Sequence, residues 1–426
     1  MGALLLLLTV VCYYTGLEIE RLRGTKWASP LIIAAVAALV LYLAFFKSEH
    51  FLFKGQSVLI TLGVSYYTFR LLSYLLDVHW GKMVAAREFV PFAAYVAFFP
   101  HMIAGPIQRA LSFLPQLDPQ GEAGGRTVEG LARVLLGFFK KAVVADNLAL
   151  FVNYAYQHLQ SSSAVPNLVA FYIYPLQLYA DFSALTDIAV GVALVFGIES
   201  PENFNAPFIA VSISDFWRRW HMSLTSWLRD YVFTPLRMAT RDWGDWGLAF
   251  SLSVNMVLIG LWHGLALTFL LFGIIHAIFL LADVLTSTLR KKYYKRNAYV
   301  AKLAGVVGPL LTFHIVALGN TFFRSPSVAV AWHVLDGFGL GFSHASYALA
   351  SIAAPPAHHA WIAFPAFVLA EVADTLRRRN SLRLLQATPL WARLSTYVCI
   401  TACFVFVALL LLARNVEVNP FVYAFF

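Results

Sequence analysis

Apolar residues run along this chain in long unbroken blocks, separated by short polar and basic stretches. The blocks fall at roughly 1–16, 29–47, 56–76, 88–108, 129–158, 166–198, 246–283, 303–322, 360–374 and 395–413. A helix needs about 20 mostly apolar residues to cross a bilayer. A chain in hydrocarbon must close its own backbone hydrogen bonds, which leaves helices or a barrel. The blocks show no period-two alternation, so the pattern predicts helices. The longest blocks are long enough for a tilted helix or two shorter ones. The first run, MGALLLLLTVVCYY, lacks a basic n-region and a small-residue cleavage site and reads as a short first span. The most loop-like stretch is LDPQGEAGGRTVEG at 117–130. No repeat or linker divides the chain, so a single integral-membrane domain over 1–426 is expected.

One segment breaks the pattern. In SDFWRRWHMSLTSWLRDYVF, the residues Phe216, Trp217, Trp220, Leu224, Trp227, Leu228 and Tyr231 recur at helical spacing, with Arg218, Arg219, Ser226, Arg229 and Asp230 elsewhere. This Trp/Arg amphipathic pattern predicts a helix lying in the membrane interface over about 214–232. His221 borders its buried stripe.

Composition agrees with a polytopic membrane protein: 60% of the 426 residues are hydrophobic and 12% charged, against roughly 25% charged in soluble domains. The net charge of +9 would suggest nucleic acid in a soluble protein. Here the basic residues read as short-loop charges that set topology, so no nucleic-acid partner is expected. The clusters RKKYYKR at 290–296 and RRR at 377–379 are expected to be cytoplasmic, which sends the tail after 413 to the outer face. Cys399 and Cys403, one helical turn apart, read as small buried hydrophobes, with no metal site expected.

The candidate chemistry centres on IGLWHG at 259–264. His263 stands in one of the most apolar stretches, flanked by Gly260 and Gly264, which admit a close backbone or ligand. A helix-packing histidine is one reading; a functional intramembrane group is the other. A neutral imidazole suits removal of a hydroxyl proton near neutral pH. His221 is the second candidate. Asp181 and Asp187 read as structural, paired with Arg218 and Arg219 or capping a broken helix. His276 points to a different face from His263. No Walker loop, His-Glu-x-x-His pattern or Gly-x-Ser-x-Gly elbow occurs. On the residues alone, an enzyme and a transporter are equally open.

Several stretches carry a resemblance: GVSYYTFRLLSYLLDV (63–78), FFPHMIAGPIQR (98–109), DFSALTDIAVG (181–191), PENFNAPFIAVSISDFWRRWHMSLTSWLRDYVFTPL (201–236), GLWHG (260–264), FFRS (322–325) and PFVYAFF (420–426). Their order resembles that of the membrane-bound O-acyltransferase (MBOAT) family, in its bacterial branch of alginate O-acetyltransferases and teichoic-acid D-alanyl transferases. The AGPI form is more similar to the polysaccharide O-acetylating members. Family members usually begin with one further apolar segment, and their closing aromatic motif commonly has another aromatic where this chain has Ala424.

The resemblance implies an all-α ring of about ten to twelve transmembrane helices, with interfacial helices, around a central funnel. His263 matches the family's catalytic histidine and His221 the second histidine of that site, with Trp262 and Trp220 as its expected walls. The activity implied is transfer of an acyl group, acetyl by the motif form, from a cytoplasmic thioester (acetyl-CoA or an acyl carrier protein) to hydroxyls of an extracytoplasmic polysaccharide or cell-wall glycan. No bound cofactor is expected. The expected setting is multi-pass in the inner membrane, beside an extracytoplasmic or membrane-anchored partner transferase. Tyr423, in the aromatic tail, is a candidate acyl relay; an interfacial aromatic anchor is the plainer reading. A non-catalytic exporter or scaffold, D-alanyl transfer, and lipid or protein O-acylation are the alternatives.

Overall fold

The computed structural model describes residues 2–52, 63–103, 105–117, 126–159, 164–339, 346 and 361–378. The described residues form helices and no strand. Among the described residues, six helices are long and apolar enough to cross a membrane: α1 (Gly2–Arg21), α2 (Ala28–Leu52, with its apolar part ending at Ser48), and four more introduced below.

α3 (Val64–His79) is buried on nearly every side, its polar Ser65, Thr68, Arg70, Ser73 and Asp77 included. The expected span at 88–108 is not one helix. It is α4 (Phe89–Val96), a single turn at Phe99–His101 and an irregular stretch to Arg109. Pro100 and Gly105-Pro106 account for the breaks. The last carbonyls of α4 would be orphans; Arg70 of α3, fully buried, donates to Tyr95 O and Val96 O at 3.0 and 3.2 Å.

The expected block 129–158 is one continuous rod: α5 (Thr127–Phe139), a wide turn at Lys140–Ala145 and α6 (Asp146–Gln157). It packs against α7 (Val165–Val195), the second-longest kind of span expected at 166–198. The crossing rests on two matched stripes. On α5 and the first residue of the wide turn, Gly130, Arg133, Gly137 and Lys140 share one face by their spacing; on α7, Ala184, Asp187 and Gly191 do so. A Cβ on Gly137 would lie 2.7 Å from Ala184 O, and one on Gly130 2.6 Å from Gly191 O. Backbone therefore meets backbone, the small-residue packing that lipid-embedded helices favour.

Between those glycines sits a buried ion network. Arg133 donates to Asp187 at 2.9 Å and pairs with Glu202 at 2.5 Å. Lys140 pairs with Asp187 at 2.6 Å and with Asp374. Arg377 joins Glu202 at 3.1 Å and Asp374 at 3.3 Å. Lys141 bonds Asp146 and Asp181 at 2.9 and 2.8 Å. Asp181 and Asp187 are thus structural as expected, but their partners are not Arg218 and Arg219, which pair with Asp215. The reading of the basic residues as loop charges also fails here. Arg70, Arg133, Lys140 and Lys141 are buried in helical segments, and Arg377 of the RRR cluster is neutralised inside the protein.

The segment expected as one interfacial helix is broken into α8 (Ile213–Trp217), α9 (Met222–Leu228), a wide turn at Arg229–Phe233 and α10 (Thr234–Ala239). The pieces from Met222 to Ala239 follow one another without a break, but this stretch carries Arg229, Asp230 and Arg237 and is not among the long apolar helices. The apolar stripe is buried throughout, while Arg218 and Arg229 are exposed. The block at 246–283 is a hairpin: α11 (Asp245–His263) and α12 (Leu267–Arg296), turning through Gly264-Leu265-Ala266. The two helices touch closely, since a Cβ on Gly260 would lie 2.3 Å from Phe269 O. The glycine that was expected to admit a ligand or backbone thus admits a backbone. α13 (Ala298–Arg324) returns beside α12, followed by α14 (Val328–Asp336) and α15 (Ala363–Arg378). The expected span at 395–413, Cys399 and Cys403 lie outside the described residues.

Three outcomes follow from this packing. Gly137→Val should destabilise the fold by about 1–3 kcal/mol or more, read as a lowered melting temperature in detergent. Asp187→Ala takes one carboxylate from each of the buried cations Arg133 and Lys140, leaving them Glu202 and Asp374, and should cost roughly 3 kcal/mol, read in the same assay. Single cysteines in place of Arg218 and Arg229 should label from one side of the membrane only; labelling from opposite sides would show that this segment crosses.

Candidate functional site

His263 is the last residue of α11, not the middle of a helix. The hairpin turn begins at the next residue. The ring is 6% exposed and enclosed by aromatics. Its centroid is 4.6 Å from Trp262, 4.7 Å from Phe323 and 6.3 Å from Phe269 and Phe272.

His221 is not on a helix at all. It caps α9 with φ 43° and ψ 52°, in the left-handed region. A residue other than glycine pays of order 1–3 kcal/mol there, and such strain persists only where surroundings enforce it. The enforcement is visible. Met222 N donates to Asn203 O at 2.9 Å, and the Ser223 amide and hydroxyl donate to Asn203 Oδ1 at 3.3 and 2.6 Å. Asn203 Nδ2 in turn donates to Thr186 on α7 at 3.2 Å. Ile107 N donates to Ser223 Oγ at 3.0 Å, tying in the GPIQ stretch. Burial pushes the His221 imidazole down to about 3, so the ring is neutral at physiological pH.

The two histidines, forty-two residues apart by number, meet across Trp262. The indole centroid lies 6.0 Å from His221 and 4.6 Å from His263. Trp262 is therefore in contact with both rings. Trp220 is buried but turned away, packed on Phe204, Phe216 and Tyr179 with centroids 5.1, 5.5 and 6.1 Å away. Tyr423 lies outside the described residues. His276 does face elsewhere, against Phe272 and Trp217.

The structure adds residues that the sequence reading passed over. Tyr66 and Phe69 of α3 reach Trp262, with ring centroids 6.3 and 5.9 Å away. Trp227 stacks on Phe69 at 4.5 Å and donates its indole N–H to Phe69 O at 3.0 Å. Lys47, at the end of α2, places its Nζ 5.4 Å from the Trp262 ring centroid and near enough to act on His263 by charge. The Tyr66 hydroxyl and the Trp262 indole N–H are buried without a hydrogen-bond partner among the described residues. Two neutral donors and a cation thus surround two imidazoles in an apolar cage. Tyr66 and Phe69 lay within the GVSYYTFR match and Phe323 within FFRS, so the signal was present; the pairing of α3 with α11 was not. Such a set can take a proton and can stabilise an oxygen that becomes negative.

Comparison with known proteins agrees with this architecture. The family model described as MBOAT, membrane-bound O-acyltransferase family, matches residues 84–316. The chain is 33% identical to a probable alginate O-acetylase of Pseudomonas aeruginosa, over 81% of this chain and 66% of that protein. It is 28% identical to a peptidoglycan O-acetyltransferase of Helicobacter pylori, over 78% of this chain and 70% of that one. It is 32% identical to a teichoic acid D-alanyltransferase of Bacillus subtilis, over 62% and 68%. The chain spans about two thirds of the length of these relatives. With a family match over more than half of its length, this multi-pass membrane protein belongs to the membrane-bound O-acyltransferase family.

Proposed function

We propose that this chain is an O-acyltransferase of the inner membrane that moves an acetyl group from a cytoplasmic thioester towards hydroxyls of an extracytoplasmic glycan. The observation that carries the reading is the meeting of His221 and His263 across Trp262, inside a helical membrane domain. The relatives named for O-acetylation of alginate and peptidoglycan support the acyl group and the glycan class.

His263 is the general base. It takes the acceptor hydroxyl's proton as that oxygen attacks the thioester carbonyl carbon. The C–O bond forms and the carbonyl oxygen becomes an oxyanion. The Tyr66 hydroxyl, the Trp262 N–H and the Lys47 ammonium, grouped about the Trp262 ring, stabilise that charge. Collapse breaks the C–S bond, and the imidazolium returns its proton to the thiolate. No metal step is needed, because a thioester is already activated. His221, neutral and strained, orients the acceptor. The buried setting raises the value of each fixed dipole, since little water competes. The donor is acetyl-CoA or an acyl carrier protein, and a partner transferase on the outer side completes delivery. The tail residue Tyr423 is the proposed relay to that partner.

His263→Ala should express at a normal level and lose roughly 10²–10⁴-fold in transfer from a labelled thioester. Near-normal turnover by a folded His263→Ala protein would remove the catalytic assignment and favour an exporter or scaffold. Tyr66→Phe deletes one oxygen and keeps the ring against Trp262; turnover should fall about tenfold or more with an unchanged melting temperature.

A further inference from the structure

α12 and α13 do not close against each other along their whole length. Between them runs a groove of about 520 Å³. Its walls are apolar: Phe279 of α12, and Leu303, Val307 and Leu311 of α13, among others. It extends beside α13 from Val300 to Ile315, roughly 22 Å at about 1.5 Å per residue. That exceeds one leaflet's half of the ~30 Å hydrocarbon core and matches an extended acyl chain. One end is polar. Asp283, Thr286, Arg290 and Tyr294 line it.

The charge at that end is strongly positive. Arg290 is followed by Lys291, Lys292, Lys295 and Arg296, the last four exposed. Asp283 is the acid that faces them, and it is already held by Arg290 and by Ser214 N at 2.9 Å. Arg290 Nε is buried without a hydrogen-bond partner among the described residues. An apolar slot as long as one acyl chain, headed by basic groups, is complementary to one class of occupant.

We propose that this groove binds one anionic phospholipid, with an acyl chain along α13 and its phosphate at Arg290 and the adjoining lysines. A basic cluster at the end of a spanning helix attracts such headgroups at about 1 kcal/mol per Lys or Arg. The site has a structural consequence. Ser212 and Ile213 form part of its wall, and Ser214 is bonded to Asp283. They belong to the segment that leads into His221. A lipid in the groove therefore braces the segment that leads into His221. The proposal does not depend on the acyltransferase reading, because binding is measured without turnover.

The test uses the purified full chain in detergent, with phosphatidylglycerol or phosphatidylcholine added. Retained lipid is counted by native mass spectrometry, and the melting temperature is recorded alongside. The wild-type protein should retain one phosphatidylglycerol, and its melting temperature should rise more with that lipid than with phosphatidylcholine. Joint Lys291→Gln and Lys295→Gln substitutions, both at exposed positions, should weaken phosphatidylglycerol retention by roughly tenfold or more and leave phosphatidylcholine unchanged. Val307→Trp fills the slot and should abolish retention of the tightly held molecule. Equal retention of both lipids by wild type would overturn the proposal. So would undiminished phosphatidylglycerol retention by the double-glutamine protein.

Discussion

The buried ion network between α5 and α7 is the constraint on which the site depends. Burying Arg133, Lys140 and Asp187 costs several kcal/mol per ion, and only close pairing returns it. That pairing requires the helices to approach until backbone meets backbone, which Gly130, Gly137 and Gly191 allow. The network then reaches outward. Arg133 and Arg377 both grip Glu202, the residue before Asn203. Thr186, beside Asp187, holds Asn203 directly. Asn203 in turn fixes Met222 and Ser223, and so holds His221 in its left-handed conformation. A packing feature far from the chemistry thereby positions a chemical group.

The two histidines are built by opposite means. His263 ends a long, well-packed helix, and the close α11–α12 hairpin sets its place. His221 stands at a strained break among short helical pieces, pinned by hydrogen bonds from three separate stretches of chain. One is set by helix packing and the other by polar contacts. Trp262 belongs to the first set and faces both, so it fixes the separation between the rings.

Much of the fold was legible in the chain. Long apolar blocks predict spanning helices because hydrocarbon leaves the backbone no other partner, and the helices at 2–21, 28–52, 165–195 and 298–324 follow. The Trp/Arg pattern correctly marked a buried aromatic stripe, though the segment is broken and not one helix. His263 and His221 stood out as ionisable groups in apolar settings. What the chain alone determined was therefore local: solvent, helix type, and which residues are costly to bury. Tertiary structure decided the rest. Asp187 chose Arg133 and Lys140 over Arg218 and Arg219, because a buried carboxylate pairs with whichever cation the helix crossing delivers. Trp220 turned into an aromatic cluster, while Trp262 came to touch both histidines. Tyr66 and Lys47 entered the site through α2 and α3, far away in sequence. Periodicity records which face of a helix avoids lipid, but it does not record which helix that face meets; partner choice depends on contacts whose energy exists only once the helices are packed.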